Sequence, residues 1–467
     1  MSALPTSVPT PPLPEAVLTG LRAIFQDRLH LGEAMRAQHG ASEAHFETVL
    51  PDAVVFAHST EEVVALVKLC VAHDTPVIPY GAGTSIEGNT TPTRGGVTVD
   101  LSEMNAILQV NAEDFDVTVQ AGVRREQLNE HLRDVGLFFP IDPGANATIG
   151  GMASTRASGT NAVRYGTMRE AVLNLRVVTP DGRDIRTARR ARKSAAGYDL
   201  TRLMIGSEGT LGIITEVTLR LHGIPEAIMS AVCSFDTLGG AVDTVVQSIQ
   251  LGIPLARVEI LDDMQMKAVN AWSKLDYPEK TTLFFEFHGS ERYVEEQVET
   301  VSAIAAESGG GEFRWSNLPE ERAKLWKARH EAYYAAVGLR KGCVGWATDV
   351  CVPISRLAEC ILETKKDLAT ASIPATILGH VGDGNFHVVF VLDPNKPEEA
   401  EEAEALNQLL VQRALDMDGT CTGEHGIGLG KQDWLVAELG DAVDLMRMIK
   451  RALDPKDLFN PGKIFSL

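Results

Sequence analysis

The sequence predicts an α+β fold, and three observations support that prediction. Short extended runs alternate with helical segments across residues 52–221, and three glycine-rich loops lie in the same half of the chain. After Gly223 the pattern changes to longer helices separated by single strands, which favours a second α+β domain with an antiparallel sheet. A chain of 467 residues, of which 44% are hydrophobic, is long enough for two or three such domains.

The first half is predicted to begin with a strand, a helix and a second strand. Ser59 or Thr60 can cap that helix, because a side-chain oxygen there accepts from the first free amide groups. Later segments show the alternation typical of strands. In chain order the predicted strands are 53–57, 76–80, 96–101, 116–121, 173–179 and 212–221, and the predicted helices are 59–73 and 125–136.

The second half is expected to begin at Gly223-Ile224-Pro225, where glycine and proline interrupt regular structure. Residues 397–405 form an acidic run that leads into leucines at helical spacing, which predicts the solvated face of a helix. The other predicted elements are a strand at 282–288 and helices at 238–251, 291–307 and 320–337.

Composition excludes several classes of function. The net charge of −20 would repel a nucleic-acid backbone, so no nucleic-acid partner is expected. No apolar run reaches the roughly 18 residues that a transmembrane helix needs. The six cysteines are scattered, as in a reducing compartment. The Pro/Thr-rich start predicts a disordered leader without a targeting pattern, which favours a bacterial-type cytoplasmic protein, or a mitochondrial protein in a eukaryote. Peripheral association with the inner membrane is left open.

Three glycine-rich stretches, at 79–89, 142–166 and 205–214, are candidates for cofactor binding. The first follows a predicted strand and can form an anion-binding nest, because glycine permits positive φ angles. Its spacing matches neither the Rossmann nor the P-loop pattern. The second stretch has almost no bulky side chains, which suits close approach of backbone amides to a flat ring system.

In their order along the chain and in their amino-acid sequences, these three stretches resemble the FAD-binding domain of the vanillyl-alcohol oxidase and p-cresol methylhydroxylase (PCMH) superfamily. The resemblance implies a two-part PCMH-type FAD-binding domain, followed by a substrate-binding cap domain. It also implies non-covalent FAD, since Thr84 and Ser85 stand where covalent members carry histidine. The residues expected to bind the cofactor are Pro79, Tyr80, Gly81, Ala82, Gly83, Thr84, Ser85, Gly88, Asn89, Pro143, Gly144, Thr148, Gly150, Gly151, Ser154, Gly159, Asn161, Tyr165, Gly166, Glu208, Gly209, Gly212, Ile213 and Asn460.

A candidate metal site begins in residues 375–392, which predict a β-hairpin turning at Asp383-Gly384. That turn would oppose His380 and His387 on one face, with Cβ atoms about 4.5–5.5 Å apart, close enough for both imidazoles to reach one cation. Glu424 could add a carboxylate, and two histidines with one carboxylate leave positions open for substrate. The alternative to a metal site is purely structural: His380 and His387 would pack in the core, and Glu424 would be a surface acid.

The motifs G-H-x-G-D-G-N-x-H at 379–387 and G-T-x-x-G-E-H-G-I-G at 419–428 resemble the metal-dependent, FAD-linked D-2-hydroxyacid dehydrogenase family. The resemblance covers residues 51–463 and is greatest to its mitochondrial-type D-lactate branch. It implies His380, His387 and Glu424 as ligands of zinc or manganese, with His425 as catalytic base and Arg329 binding the substrate carboxylate. Ala347 stands where the 2-hydroxyglutarate branch has a lysine, which disfavours a dicarboxylate.

The implied function is oxidation of D-lactate or a similar small D-2-hydroxy acid to the 2-oxo acid, with hydride transfer to flavin N5. Cytochrome c, a quinone or an electron-transfer flavoprotein would then accept the electrons, and a homodimer is left open. The alternatives are the FAD subunit of a glycolate oxidase, a D-2-hydroxyglutarate dehydrogenase, a non-catalytic flavoprotein subunit and a flavin-free metallohydrolase.

The predicted domain organisation follows from these assignments. A leader with helices occupies 1–50, the FAD-binding domain 51–224 and the substrate- and metal-binding cap 225–440. The last segment, 441–467, is expected to return to the FAD-binding domain.

Overall fold

The computed structural model describes residues 12–42 and 46–467, so residues 1–11 of the predicted Pro/Thr-rich start lie outside the described residues. The chain divides into two compact units, named here by their positions in the sequence. The flanking unit contains the residues up to Ser158, then Gly166–Ile224 and Glu424–Leu467. The central unit contains Gly159–Tyr165 and Pro225–Gly423.

The strands are numbered in chain order. They are β1 Leu29–His30, β2 Ala53–Phe56, β3 Val77–Tyr80, β4 Val97–Asp100, β5 Ile107–Asn111, β6 Asp116–Gln120, β7 Leu137–Phe138, β8 Val172–Val178, β9 Asp184–Arg186, β10 Ile213–Arg220, β11 His222–Gly223, β12 Ala227–Ser234, β13 Leu255–Leu261, β14 Thr282–Gly289, β15 Arg314–Ser316, β16 Val344–Ala347, β17 Val350–Cys351, β18 Ala375–Gly379 and β19 Asn385–Leu392.

The α-helices are numbered in the same way. They are α1 Glu15–Phe25, α2 Glu33–Gly40, α3 Thr60–Ala72, α4 Arg125–Arg133, α5 Ile149–Thr155, α6 Ala162–Tyr165, α7 Met168–Ala171, α8 Leu200–Met204, α9 Leu238–Gln250, α10 Asp263–Ser273, α11 Glu291–Glu307, α12 Pro319–His330, α13 Ala332–Val337, α14 Leu357–Leu368, α15 Pro397–Asp416, α16 Gln432–Leu439 and α17 Ala442–Leu453.

The flanking unit has two main sheets, each with its own core. A four-stranded sheet has the order β1-β2-β4-β3, in which β2 and β3 run parallel to β4. A five-stranded antiparallel sheet has the order β5-β6-β10-β8-β9. One apolar cluster packs around Val55, Leu66 and Val99, and a second around Val119, Met152 and Val217. This two-part arrangement is the one expected for the first domain.

Helix α3 connects two parallel strands of the first sheet, and its sequence explains its position. Ser59 caps it by accepting from the Glu62 amide at 3.2 Å. Val63, Leu66 and Val67 repeat at helical spacing and are buried. The crossover therefore covers the sheet and brings β3 beside β4, where the first glycine-rich loop follows.

The central unit is built on one eight-stranded antiparallel sheet. Its order is β15-β12-β14-β13-β18-β19-β16, and β17 also pairs with β19. Helices α10, α12 and α13 pack on it through a core that includes Met266, Trp326 and Ala332. The α+β prediction, with an antiparallel sheet in the second half, is therefore confirmed.

The predicted hairpin forms, but its register was wrong. His387 opposes Leu378 instead of His380, and residues 380–384 form a longer connection in which the Asn385 amide donates to the His380 carbonyl. The pairing is shifted by two residues. Because side chains alternate with a period of two, this shift keeps His380 and His387 on one face as diagonal neighbours.

The predicted helix 320–337 is interrupted. It forms α12 and α13, which meet at Glu331, where ψ is close to 1°. The acidic run begins α15, as expected for a helix face, with Pro397 in its first turn.

Candidate functional site

His380 and His387 come together in the central unit. Their ring centroids are 5.5 Å apart, and a ring nitrogen of each lies within 4.8 Å of the other. Both residues are buried. The sheet therefore brings two metal-binding side chains close together, away from bulk water.

The hydrogen bonds of these two rings define their tautomers. His380 Nδ1 lies 2.7 Å from Glu259 Oε1, and His387 Nδ1 lies 2.9 Å from the carbonyl oxygen of Thr348. A carboxylate and a carbonyl only accept hydrogen bonds, so each Nδ1 carries the proton. Each Nε2 then carries the lone pair that binds a metal.

Asp349 adds a carboxylate to this cluster. It lies 3.7 Å from His387 Nδ1, and it accepts from Asn385 Nδ2 at 2.7 Å and from Thr422 Oγ1 at 2.8 Å. Asp349 is itself buried beside the two histidines. Gly423 packs so closely here that a Cβ would collide with Asn385.

Arg329 lies on α12 and faces Glu259. Its Nε donates to Glu259 Oε2 at 2.8 Å, and its Nη2 lies 2.7 Å from the same oxygen. Burial raises the pKa of Glu259, but the electrostatic and hydrogen-bonding effects of its neighbours His380 and Arg329 outweigh burial, so this pKa lies below its usual value. Within the described part of the chain, Arg329 Nη1 has no hydrogen-bond partner, and it remains able to bind a ligand.

Glu424 and His425 are the first residues of the third stretch of the flanking unit. His425 Nε2 lies 3.9 Å from Glu424 Oε1. The residues that follow are held by Glu208, whose Oε1 accepts from the Ile427 amide at 2.8 Å and whose Oε2 accepts from the Gly428 amide at 3.0 Å. Asn89 Nδ2 donates to the same carboxylate at 2.8 Å.

Glu208 therefore holds the backbone beside the predicted base. Burial raises its pKa, and the hydrogen bonds from Ile427 and Asn89 lower it in part. Lys463 is also buried, which lowers its pKa to about 7, while the nearby Glu208 charge acts in the opposite direction.

The first glycine-rich loop has the geometry of an anion-binding nest. Gly83 has a φ of +69°, and a Cβ there would collide with Tyr80 Oη. A Cβ on Gly81 would collide with Thr148 Oγ1. Ser85 Oγ is buried and meets no hydrogen-bond partner in the described residues. A buried hydroxyl beside closely packed glycines fits a diphosphate, so the loop suits the expected cofactor.

The other residues expected to bind the cofactor fall in both units. Gly159, Asn161 and Tyr165 belong to the central unit, where Asn161 Oδ1 accepts from Arg257 Nε at 3.0 Å and Tyr165 Oη lies 2.8 Å from His288 Nδ1. The rest lie in the flanking unit: Pro79 to Ser85, Gly88, Asn89, Pro143, Gly144, Thr148, Gly150, Gly151, Ser154, Gly166, Glu208, Gly209, Gly212, Ile213 and Asn460.

Thr148 and Asn460 have clear structural roles as well. Thr148 caps α5 by accepting from the Gly151 amide at 3.4 Å. Asn460 Nδ2 donates to the carbonyl oxygens of Asn89 and Glu208 at 2.7 and 2.6 Å.

Sequence reasoning missed Glu259 and Asp349. Glu259 is a fully buried carboxylate in β13, and its partners His380 and Arg329 are 121 and 70 residues away. A glutamate inside β13, where every other residue except Arg257 is apolar, was the available signal, because an isolated buried charge is costly. Which residues Glu259 contacts, however, depends on the order of the strands in the sheet, and this order cannot be read from the local sequence.

No helix within 12–42 and 46–467 combines the length and the apolar character needed to cross a bilayer.

Two family models match the chain. The model described as FAD binding domain matches residues 51–188, and the model described as FAD linked oxidases, C-terminal domain, matches residues 224–464. The second match spans more than half of the sequence.

Curated relatives and solved structures agree with these matches. A zebrafish (Danio rerio) protein named probable D-lactate dehydrogenase, mitochondrial, is 53% identical over 97% of this chain and 92% of its own length. An Arabidopsis thaliana protein named D-lactate dehydrogenase [cytochrome], mitochondrial, is 48% identical over 97% of this chain and 80% of its own length.

A structure of p-cresol methylhydroxylase with substrate bound superposes with a TM-score of 0.77 at 18% identity, covering 97% of each chain, which shows a common fold. With the family matches and relatives that span nearly its whole length, the chain belongs to the FAD-linked oxidase family.

Proposed function

We propose that the protein oxidises D-lactate, or a D-2-hydroxy acid of similar size, to the 2-oxo acid, using non-covalent FAD and a divalent metal. The names of the zebrafish and Arabidopsis relatives support the substrate. The observation that carries the proposal is the buried pair of imidazoles, His380 and His387, each with an acceptor at Nδ1. Histidines held in this way direct Nε2 towards a metal.

The proposed ligands are His380, His387 and Glu424, with zinc or manganese as the ion. Glu424 directly follows Gly423, which packs against Asn385, so its backbone starts from a well-defined point. When bound, the metal would lower the pKa of the substrate 2-hydroxyl.

Arg329 is proposed to bind the substrate carboxylate. Its Nε and Nη2 face Glu259, so Nη1 and the outer hydrogen of Nη2 form a second edge for a carboxylate. Ala347 offers no charge for another carboxylate, which favours a monocarboxylic substrate.

His425 is proposed to accept the hydroxyl proton, since it is the neighbour of a proposed ligand and a histidine can take a proton near neutral pH. The residues of the three glycine-rich stretches are proposed to bind FAD, with Ser85 and the Gly81–Gly83 backbone at its diphosphate. When bound, FAD would supply the acceptor for the hydride that leaves C2.

A cytochrome is the proposed electron acceptor, because the Arabidopsis relative carries that word in its name. Both relatives are named mitochondrial, which supports a mitochondrial location if the host is a eukaryote. For a bacterial host, which lacks this compartment, the proposed location is the cytoplasm.

An anaerobic substrate screen tests this proposal. The FAD-loaded protein is mixed with D-lactate, L-lactate, glycolate or D-2-hydroxyglutarate, and the flavin absorbance is followed before and after chelation. We expect the fastest bleaching with D-lactate and little after chelation. Faster bleaching by glycolate or D-2-hydroxyglutarate would assign another substrate, and bleaching that survives removal of all metal would end the metal proposal.

The ligand assignment is tested by His387→Ala. We expect loss of bound metal and of turnover while FAD remains bound, as measured by metal analysis and flavin absorbance. His131→Ala, on helix α4 of the flanking unit, is the control and should retain both. Unchanged metal content in His387→Ala would contradict the assignment.

A further inference from the structure

We propose that Glu259 is a positioning residue that orients a metal ligand and the substrate-binding arginine together. The inference rests on the proposed function and deepens it: one buried carboxylate would link metal affinity to substrate affinity. Its two oxygens have different partners, His380 for Oε1 and Arg329 for Oε2.

The position of Glu259 follows from the sheet. Strand β13 lies between β14 and β18, and Ile260 pairs with Gly379, the residue before His380. Glu259 is fully buried, with 0% of its surface exposed. A buried carboxylate needs paired charges and hydrogen bonds, and both of its oxygens have them here.

The contact with His380 sets the chemistry of that ring. Because Glu259 Oε1 accepts at 2.7 Å, Nδ1 keeps its proton and Nε2 is the ligand atom. A carboxylate behind a histidine also fixes the ring orientation and makes Nε2 more basic. The hydrogen bond from His387 Nδ1 goes to the uncharged Thr348 carbonyl at 2.9 Å, so the two rings donate to groups of different charge.

The contact with Arg329 sets the direction of the guanidinium. Nε and Nη2 approach Oε2 at 2.8 and 2.7 Å, so this edge is occupied. The opposite edge is the one available to a substrate carboxylate. Glu259 cannot turn towards one partner without weakening its contact with the other.

The test is Glu259→Gln in the FAD-loaded protein. The amide has nearly the same shape, but its single carbonyl can accept from only one partner, and its NH₂ group faces the donor of the other. We expect the dissociation constant for Zn²⁺ or Mn²⁺ to rise about 10–100-fold, the typical effect of removing such a carboxylate. We also expect KM for D-lactate to rise, by a larger factor than kcat falls at saturating metal.

The metal measurement is a competition titration with a chelator, which does not depend on turnover. Glu286→Gln is the matched control. Glu286 is buried on the neighbouring strand β14, and its carboxylate lies 2.9 Å from His288 Nε2 and 3.5 Å from Arg257 Nε, so its charged partners are not those of Glu259. It should leave the metal dissociation constant unchanged.

Arg329→Met tests the effect on substrate affinity separately from the effect on metal affinity. It should raise KM while leaving metal affinity close to that of the wild type, because the contact between Glu259 and His380 remains. If Glu259→Gln does not fold, Glu259→Asp keeps the charge on a side chain too short to reach both partners, and the same two measurements apply.

The outcomes are distinguishable from failure of the proposed function. A wild-type protein that binds no metal, or is not reduced by D-lactate, refutes that function whatever the variants do. A wild type that binds metal and is reduced by D-lactate, with a Glu259 variant whose metal affinity or KM is unchanged, overturns the inference alone.

Discussion

Among individual residues, Glu208 shows how a buried carboxylate can organise a backbone segment. Its carboxylate accepts from Asn89, from Ile427 and from Gly428, in the segment that follows the proposed base His425. Resemblance suggested a role near the cofactor, whereas these contacts give Glu208 a structural role beside the base. Removing an acceptor from buried amides leaves their desolvation uncompensated.

We predict that Glu208→Gln lowers both stability and kcat. One amide would face the side-chain NH₂ group, which costs roughly 1–3 kcal/mol in the free energy of unfolding. Denaturant unfolding and steady-state kinetics measure the two effects. The control is Glu216→Gln, since Glu216 pairs with Arg176 and Arg186 in the five-stranded sheet and should affect stability without changing kcat. An unaltered kcat in Glu208→Gln would contradict the prediction.

At the scale of elements, helix α10 begins with a buried charged cap. Asp262 Oδ1 accepts from the Gln265 amide at 2.8 Å, and burial raises the pKa of Asp262 to about 6, although the Lys365 charge lowers it in part. The folded state therefore binds a proton more tightly than the unfolded state. The resulting stabilisation is complete below pH 3.8, the usual pKa, and is lost as the pH rises through about 6.

We predict that Asp262→Asn removes this pH dependence. Asparagine caps a helix about as well as aspartate, so the helix start is retained while the buried charge is lost. The free energy of unfolding of the variant, relative to the wild type, should increase between pH 4 and pH 7. Denaturant titrations at several pH values measure that difference, and a difference that does not vary with pH would refute the assignment to Asp262.

The loop after β3 depends on glycine at one position. Gly83 has a left-handed φ, and a Cβ would meet Tyr80 Oη. We predict that Gly83→Ala lowers FAD content at a given FAD concentration, because the loop must shift to accommodate the methyl group. Gly223→Ala, where a Cβ meets only an ordinary contact with Phe115, is the control. Absorbance of bound flavin after gel filtration measures both, and equal flavin content would contradict the prediction.

The hairpin shows which features of an element the local sequence pattern predicts and which it does not. The Asp383-Gly384 dipeptide correctly indicated two strands joined by a turn, but the connection is longer than two residues. Alternation of side chains put both histidines on one face in either register. Local pattern therefore predicted that the histidines share a face, while strand packing determined the register.

For the whole molecule, the C-terminal segment is an integral part of the flanking unit. Phe459 forms a parallel bridge with Val77, and Lys450 Nζ donates to the carbonyl oxygens of Thr210 and Phe459, both at 2.9 Å. Asn460 joins the backbone of Asn89 to that of Glu208. These contacts connect the end of the chain to the first glycine-rich loop.

We predict that ending the chain after Leu453 abolishes FAD binding by unfolding the loop around Asn89. The buried Leu458 and Phe459 would be lost from the core of the four-stranded sheet. Hydrogen exchange in residues 77–89 and flavin content measure the effect. Deleting only the exposed Leu467 is the control, and a truncated chain that retains FAD would contradict the prediction.

Sequence by itself determined the features that depend on neighbouring residues: the glycine-rich loops, the strand and helix periods, the two histidine motifs and, through them, the resemblance to a family. The tertiary structure alone determined which distant residues meet. Glu259 contacts Arg329 and His380 across 70 and 121 residues, and Glu208 contacts Ile427 across 219, because sheet order and chain return bring them together. Such contacts arise from packing of the whole chain, and no local pattern of amino acids specifies them.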